Sequence, residues 1–168
     1  MKRIHIIGRK NSGKTTLIVE LVQACAQMGY RVGTIKHTHH QHELDAPGKD
    51  SHRHREAGAA VVGILSQKMN AVFWPSEKTS ESMRDQRYAS FDPMFAQCNL
   101  VIVEGDSQTK EPKIEVWRKT VGTPPLAEKD ASIAAVVTDD ELQINAPVWA
   151  RSDVAALAKK IIATIAAE

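Results

Sequence analysis

One stretch of eight residues constrains this chain more than any other. Gly8-Arg9-Lys10-Asn11-Ser12-Gly13-Lys14-Thr15 fits the pattern GxxxxGK[ST] at every fixed position. Glycines at the two ends let the backbone curl so that its N–H groups point inward at an anion. A helix starting behind such a loop adds the positive end of its dipole. In this reading Lys14 reaches the β- and γ-phosphates of a nucleotide and the Thr15 hydroxyl ligates Mg²⁺. The flanks suit it. Residues 3–7, Arg-Ile-His-Ile-Ile, form a short strand-like run. Leu17, Ile18, Leu21, Val22, Cys25 and Met28 then recur on one helical stripe. Gly29 stands where a helix C-cap glycine belongs, and residues 31–36 read as a second strand. Strand, turn, helix, strand predicts a βαβ unit and a parallel sheet.

The rest of the chain continues in alternation. Residues 37–49 are polar and end in Ala46-Pro47-Gly48-Lys49, a loop. Asp50 or Ser51 is expected to cap a short helix running to about Ala59. Residues 60–65 and 71–74 read as two strands. A polar insert at about 75–91 is expected to be partly helical. Asp92 is expected to cap a helix that has Pro93 at its first position. Residues 100–103 are continuously apolar, as in a strand buried on both faces. Residues 113–117 alternate, residues 133–137 suggest another buried strand, and residues 147–150 a last short one. Ser152 is expected to cap a final helix with Val154, Leu157, Ile161, Ile162 and Ile165 on one side. The expectation is a three-layer P-loop NTPase-like α/β fold: a mostly parallel central sheet flanked by helices, forming one domain over 1–168.

Composition removes several classes. The chain has 168 residues, 42% apolar and 25% charged, with a net charge of +2. Such values suit a globular core and supply no basic field for nucleic acid. Eight aromatic residues provide little material for a base-stacking surface. No apolar run approaches a membrane span, and Met1-Lys2-Arg3 enters the first strand without the apolar stretch of a signal peptide. Cys25 and Cys98 form no CxxC, which suits a reducing cytoplasm.

Beyond the loop, three features carry chemistry. Val103-Glu104-Gly105-Asp106 ends the apolar run at 100–103. If that strand neighbours the first, Glu104 stands beside the phosphate loop and can hold a Mg²⁺-bound water or polarise an attacking one. Asp106 competes for that role. No Asn/Thr-Lys-x-Asp guanine signature is present, and Glu128-Lys129-Asp130 has the wrong spacing. Asp139, at the end of the 133–137 strand, has two acceptor oxygens for a guanine edge; it also suits a loop acid that caps a turn. Lastly, six of the seven histidines fall between His37 and His54. This loop follows the second strand, on the side where α/β ligands bind. It reads as a switch-like loop reaching a phosphate, Mg²⁺ or a second anion through Lys36, His37, Asp45 and Lys49, as a transition-metal site through residues such as His37 and His39, or as a solvated loop. His52 and Glu56, four apart, are expected to form a surface pair.

Taken together, Lys36-His37-Thr38-His39-His40, Asp45-Ala46-Pro47-Gly48-Lys49-Asp50-Ser51, Ala57-Gly58-Ala59, Val103-Glu104-Gly105 and Pro112-Lys113-Ile114-Glu115-Val116 resemble the molybdopterin-guanine dinucleotide biosynthesis adaptor family, MobB. The likeness runs from Met1 to about Arg118 and continues more weakly to the end. It implies GTP binding with Mg²⁺, weak GTPase activity at most, a homodimer, and an accessory role beside the guanylyltransferase that joins GMP to molybdopterin. It makes molybdopterin itself a further candidate ligand. Carried onto this chain, it implies a nucleotide loop from Gly8 through Asn11, Ser12, Gly13, Lys14 and Thr15 to Thr16. Glu104 becomes the acid on the Mg²⁺ side, and Lys36, His37, Asp45, Lys49 and Asp50 face the nucleotide or the cofactor. One departure stands out. The family usually has an aromatic residue and then lysine after Val-Glu-Gly, where this chain has Asp106-Ser107 and its next lysine is Lys110. The added acid would oppose an anion there.

Two other readings use the same residues. A small P-loop kinase would need arginines over the phosphates, and Arg84 and Arg87 in the polar insert are the clustered candidates. A nickel or zinc insertion GTPase would use the histidine-rich loop. No spacing suggests a separate nucleophile or acid–base group for nucleotidyl transfer.

Overall fold

The computed structural model describes residues 1–38, 43–76 and 81–166, and of 81–85 the backbone alone. The chain divides into two compact units, residues 1–38 with 84–168 and residues 39–83.

The larger unit is built on a six-stranded sheet of β1 (Arg3–Ile7), β2 (Val32–Lys36), β5 (Leu100–Glu104), β6 (Lys113–Val116), β7 (Ile133–Val137) and β8 (Val148–Trp149), in the order β2-β5-β1-β6-β7-β8. All five pairings are parallel. A parallel sheet needs cover on both faces, and β5 and β7 meet that need with unbroken apolar runs at 100–103 and 133–137. Ile4, Ile6, Val101, Ile102, Val103 and Ile114 are at most 0% exposed. Helices α1 (Lys14–Gln27) and α4 (Val154–Ala166) pack on one face. They bury Leu17, Leu21 and Cys25 of α1 and Leu157, Ile161 and Ile165 of α4 against Ile4, Ile6, Ile102 and Ile114. On the other face Val101, Val103 and Ile35 meet Tyr88, Phe91 and Phe95. These aromatic residues come from a 3-10 segment, Glu81–Phe91, and the short α3 (Asp92–Phe95).

The insert expected to be partly helical is therefore 3-10 over Glu81–Phe91 and supplies cover for the second face; residues 77–80 lie outside the described residues. Three capping expectations change. Asp92 is the first residue of α3 and not its cap; its carboxylate pairs with the N-terminal ammonium at 3.3 Å. Asp153, not Ser152, caps α4, accepting from Ala156 N at 2.9 Å, because Ser152 is taken by Asp139. Lys49 holds the cap position of α2 (Asp50–Glu56), while Ser51 donates to Asp45 at 3.0 Å. That helix ends at Glu56, and Gly58 follows at φ 98°. Strand β6 lies within the expected 113–117 run, and although apolar and charged residues alternate in it, all four are buried. Lys113 reaches Ser107 O at 2.9 Å and Asp130 at 2.9 Å; Glu115 accepts from Leu126 N at 2.8 Å and Ala127 N at 3.0 Å. Two charged side chains are thus tolerated in a central strand because each is paired inside the protein.

The smaller unit holds α2 and an antiparallel hairpin of β3 (Val62–Ile64) and β4 (Ala71–Phe73). Glu43 accepts from Arg55 at 2.7 Å and lies 3.7 Å from His52, so His52 faces Glu43 and not the expected Glu56.

Leu21 is fully buried between α1 and the sheet. Leu21→Ala is expected to lower the unfolding free energy by roughly 2–5 kcal/mol, read as a shifted midpoint in urea denaturation with an unchanged slope.

Candidate nucleotide site

The site lies where β1, β5 and β6 end side by side. Pairing of Ile6 with Glu104 and of Ile7 with Glu115 puts the C-terminal ends of β5 and β6 on either side of the loop leaving β1. The loop at residues 8–13 is shaped by left-handed backbone. Gly13 has φ 93° at the cap position of α1, and Asn11 has φ 64°, a conformation asparagine tolerates better than most residues. Gly8, at φ 141°, has no room for a side chain, since a Cβ there would lie 2.3 Å from Val116 O. The two fixed glycines of the motif are therefore explained by conformation and by the closeness of β6.

Ser12 is 1% exposed, and its Oγ has no hydrogen-bond partner among the described residues. An unpartnered buried hydroxyl is costly unless something accepts its proton or donates to it. Its place inside the curl suits an oxyanion. Lys14 Nζ donates to Gly8 O at 2.9 Å and Arg9 O at 2.7 Å. An ammonium carries three donors, so one remains for an incoming anion. Burial pushes the Lys14 pKa down, Glu104 opposes this, and Lys36 adds to it. Thr15 Oγ1 donates to Glu104 Oε1 at 2.8 Å. A hydroxyl and a carboxylate side by side at the loop are hard oxygen ligands of the kind Mg²⁺ takes beside phosphates. Thr16 follows, exposed, on the first turn of α1.

Strand β2 pairs with β5 so that Lys36 is opposite Glu104, and His37 N donates to Glu104 O at 2.9 Å. Lys14, Thr15, Glu104, Lys36 and His37 thus gather at one sheet edge. A groove of about 440 Å³ opens there, walled by Val19 and Val22 of α1 and by Ile35, with Thr15, Lys36 and Glu104 also lining it. Asp139 stands at the end of β7. Its Oδ1 accepts from Ser152 N at 2.9 Å and Ser152 Oγ at 3.0 Å, and these bonds hold its carboxyl below the usual carboxylate range. Asp139 therefore performs a capping task, whatever else it contacts. Asp130 is committed to Lys113.

Asp45 and Lys49 belong to the smaller unit, where Asp45 Oδ1 accepts from Ala46 N at 2.8 Å and from Ser51. His39, His40 and His42 lie outside the described residues. Among the described residues no three His, Cys, Asp or Glu side chains converge as a metal site would require.

Asp106 does not act as expected. Its side chain is 1% exposed and accepts from Arg87 at 2.7 Å and Tyr88 Oη at 2.8 Å. It does not stand at the loop as a free acid, and its charge is matched by Arg87. Burial alone would raise its pKa, but the Tyr88 hydroxyl and the Arg87 guanidinium together hold it below the ordinary value. Burial and the same hydrogen bond push the Tyr88 phenol up. His5 packs edge-on to the Tyr88 ring with centroids 5.5 Å apart, and the Arg3 guanidinium lies 4.6 Å from that ring's centre. Arg87, proposed from sequence as a phosphate-covering arginine, is occupied by this cluster. Sequence alone did not reveal the cluster, because its members lie at positions 3, 5, 87, 88 and 106. Glu115 was equally hidden; burial raises its pKa even though two backbone N–H groups and Arg9 favour its charged form.

Strand order, glycine loop and helix define the architecture of the P-loop nucleotide-binding class, with the parallel strands' C-terminal ends at the loop. Within that class, the family described as "Molybdopterin guanine dinucleotide synthesis protein B", MobB, matches residues 3–139, and the chain belongs to it. The molybdopterin-guanine dinucleotide biosynthesis adapter protein of Escherichia coli K12 is 34% identical over 152 residues, spanning 90% of this chain and 86% of the relative. The adapter protein of the same description from Haemophilus influenzae is 36% identical over 142 residues, 84% of this chain and 77% of its own. A crystal structure of molybdopterin-guanine biosynthesis protein B superposes with a TM-score of 0.71 at 26% identity, covering 98% of this chain and 99% of that one. The MobB homologue from Bacillus stearothermophilus shares the fold with a TM-score of 0.66 at 23% identity, over the whole of both chains.

Because the folded Asp106 carboxyl is depressed, its contribution to stability is fully present above the ordinary value of 3.8 and is lost as pH falls below it. Asp106→Asn is expected to cost about 1–3 kcal/mol at pH 7 and much less near pH 3, so that urea midpoints of the two proteins converge in acid.

Proposed function

We propose that this chain is a GTP-binding adaptor in the biosynthesis of molybdopterin guanine dinucleotide, working beside the guanylyltransferase that joins GMP to molybdopterin. The observation that carries the nucleotide half is the Lys14–Thr15–Glu104 arrangement behind the glycine loop, with the Thr15–Glu104 bond at 2.8 Å. Family membership carries the pathway.

In this reading the triphosphate lies in the curl of residues 8–13 and meets the backbone N–H groups, Ser12 Oγ and the third proton of Lys14. Thr15 and Glu104 would hold a Mg²⁺, which would supply charge neutralisation for the phosphates. Lys36 and His37 face the same end of the nucleotide. Asp139 reads the base with the oxygen not given to Ser152, and the family resemblance makes Asp45 and Lys49 further candidates for contacting the nucleotide or a molybdopterin. The family resemblance implies slow turnover, with the nucleotide acting chiefly as a conformational clamp. A cytoplasmic setting fits two free cysteines, and among the described residues no helix is long and apolar enough to cross a membrane.

The homodimer is part of the proposal. The β3–β4 hairpin is a two-stranded sheet, marginal on its own in water, and exposes Val61, Leu65, Met69 and Val72. A second copy would cover these apolar side chains.

Calorimetric titration with Mg²⁺ is expected to show GTP binding tighter than ATP, and Lys14→Ala is expected to abolish both while leaving the circular dichroism spectrum intact. Unchanged GTP affinity in that variant would overturn the phosphate-loop assignment. A tagged copy expressed in a host that makes the cofactor is expected to co-purify a molybdopterin guanylyltransferase, with less recovered from Lys14→Ala; recovery of none from the unaltered protein would remove the adaptor role.

A further inference from the structure

We infer that Arg118, outside the glycine-rich motif, is a second phosphate-binding cation of the site. This rests on the nucleotide reading above and extends it to a residue which that reading does not use.

Arg118 follows β6, the strand on the opposite side of β1 from the one that carries Glu104. A Cβ added to Gly13 would fall 2.7 Å from Arg118 Nη2 and 2.9 Å from its Cζ. The guanidinium therefore lies against the last loop residue before Lys14, and the glycine at position 13 leaves it that space. Hydrogen bonds fix the chain on both sides of Arg118. Trp117 N donates to Val137 O at 3.1 Å and Trp117 Nε1 to Thr123 O at 2.8 Å. Lys119 N donates to Asp140 Oδ2 at 2.7 Å, and Val121 N to Arg118 O at 3.0 Å. Arg118 itself is extended, at φ −140° and ψ 140°.

Such fixing of an exposed arginine has no evident structural use. Among the described residues its guanidinium has no carboxylate or carbonyl partner, unlike Arg3, Arg55, Arg87 and Arg151, each of which meets an acid. It stands instead by the loop that also carries Lys14, with the unpartnered Ser12 Oγ in the same curl. Positive groups crowded around one loop repel each other, and a polyanion relieves that repulsion. A planar guanidinium suits phosphate oxygens because it offers paired donors in a fixed fork. The phosphates would then be held from three directions: the backbone and Ser12 below, Lys14 and the metal ligands on the β5 side, and Arg118 on the β6 side. Arg118 acts here as a binding and positioning residue.

GTP affinity with Mg²⁺ would be measured calorimetrically for the unaltered protein and for Arg118→Lys, Arg118→Ala and Arg118→Glu, with thermal melts without nucleotide as the check on folding. The expected result is a loss graded by charge: smallest for Arg118→Lys, about tenfold or more for Arg118→Ala, and larger for Arg118→Glu, with melting temperatures unchanged. Equal affinity in all four proteins overturns the inference, and so does a loss that is the same for Lys, Ala and Glu, since a shape role would not follow charge. Failure of the unaltered protein to bind GTP, or binding unaffected by Lys14→Ala, overturns the nucleotide reading itself.

Discussion

The site depends on the in-register pairing of β1 with β5 on one side and β6 on the other. Backbone hydrogen bonds continue past the strands at this edge: Gly105 N to Ile6 O at 2.9 Å, His37 N to Glu104 O at 2.9 Å, Trp117 N to Val137 O at 3.1 Å. Each brings the end of one strand to the end of its neighbour. Slipping any pair by one residue would turn buried side chains toward the wrong face. That penalty fixes the relative heights of Glu104, the glycine loop and Arg118. Functional geometry here is a by-product of a register enforced by apolar burial.

The sheet achieves this with a central strand, β6, that is not apolar. Lys113 and Glu115 are buried in it at 4% and 0% exposure. Each anchors a different part of the loop edge. Lys113 ties residues 107–109 and Asp130 to the sheet; Glu115 holds the turn at 126–127. With Trp117 bonded to Thr123, these contacts hold the segment around Arg118 beside the phosphate loop. The Asp106 cluster does the same on the β5 side, where a buried acid, an arginine and a tyrosine join the end of β5 to the 3-10 segment. The acid that follows Val103-Glu104-Gly105 thus brings its own counter-charge and does not present a naked carboxylate to an anion.

Much of the fold was legible in the residues. Strand positions, the α1 stripe and the βαβ order followed from hydrophobic period and glycine punctuation, because those signals are local. The element ends were less legible. Ser152, Asp92 and Asp50 were all reasonable caps by residue type, yet which polar side chain caps a helix depends on competing partners. Ser152 is drawn to Asp139, and Asp92 to the N-terminal ammonium. The burial of β6 was hidden for a related reason: Lys113 and Glu115 meet their partners, Asp130 and the backbone at 126–127, only in the folded chain.

By itself, the sequence determined the phosphate loop, the helix behind it and the family, because the motif is contiguous and its glycines answer to backbone conformation alone. It also marked Glu104, since an apolar strand ending in an acid is a local pattern. Only the tertiary structure decided that Glu104 meets Thr15, that Asp106 is turned inward against Arg87 and Tyr88, and that Arg118 lies at Gly13. Those three facts join residues about 90, 20 and 105 positions apart, and separations of that size are closed by strand order and register, which no local pattern encodes.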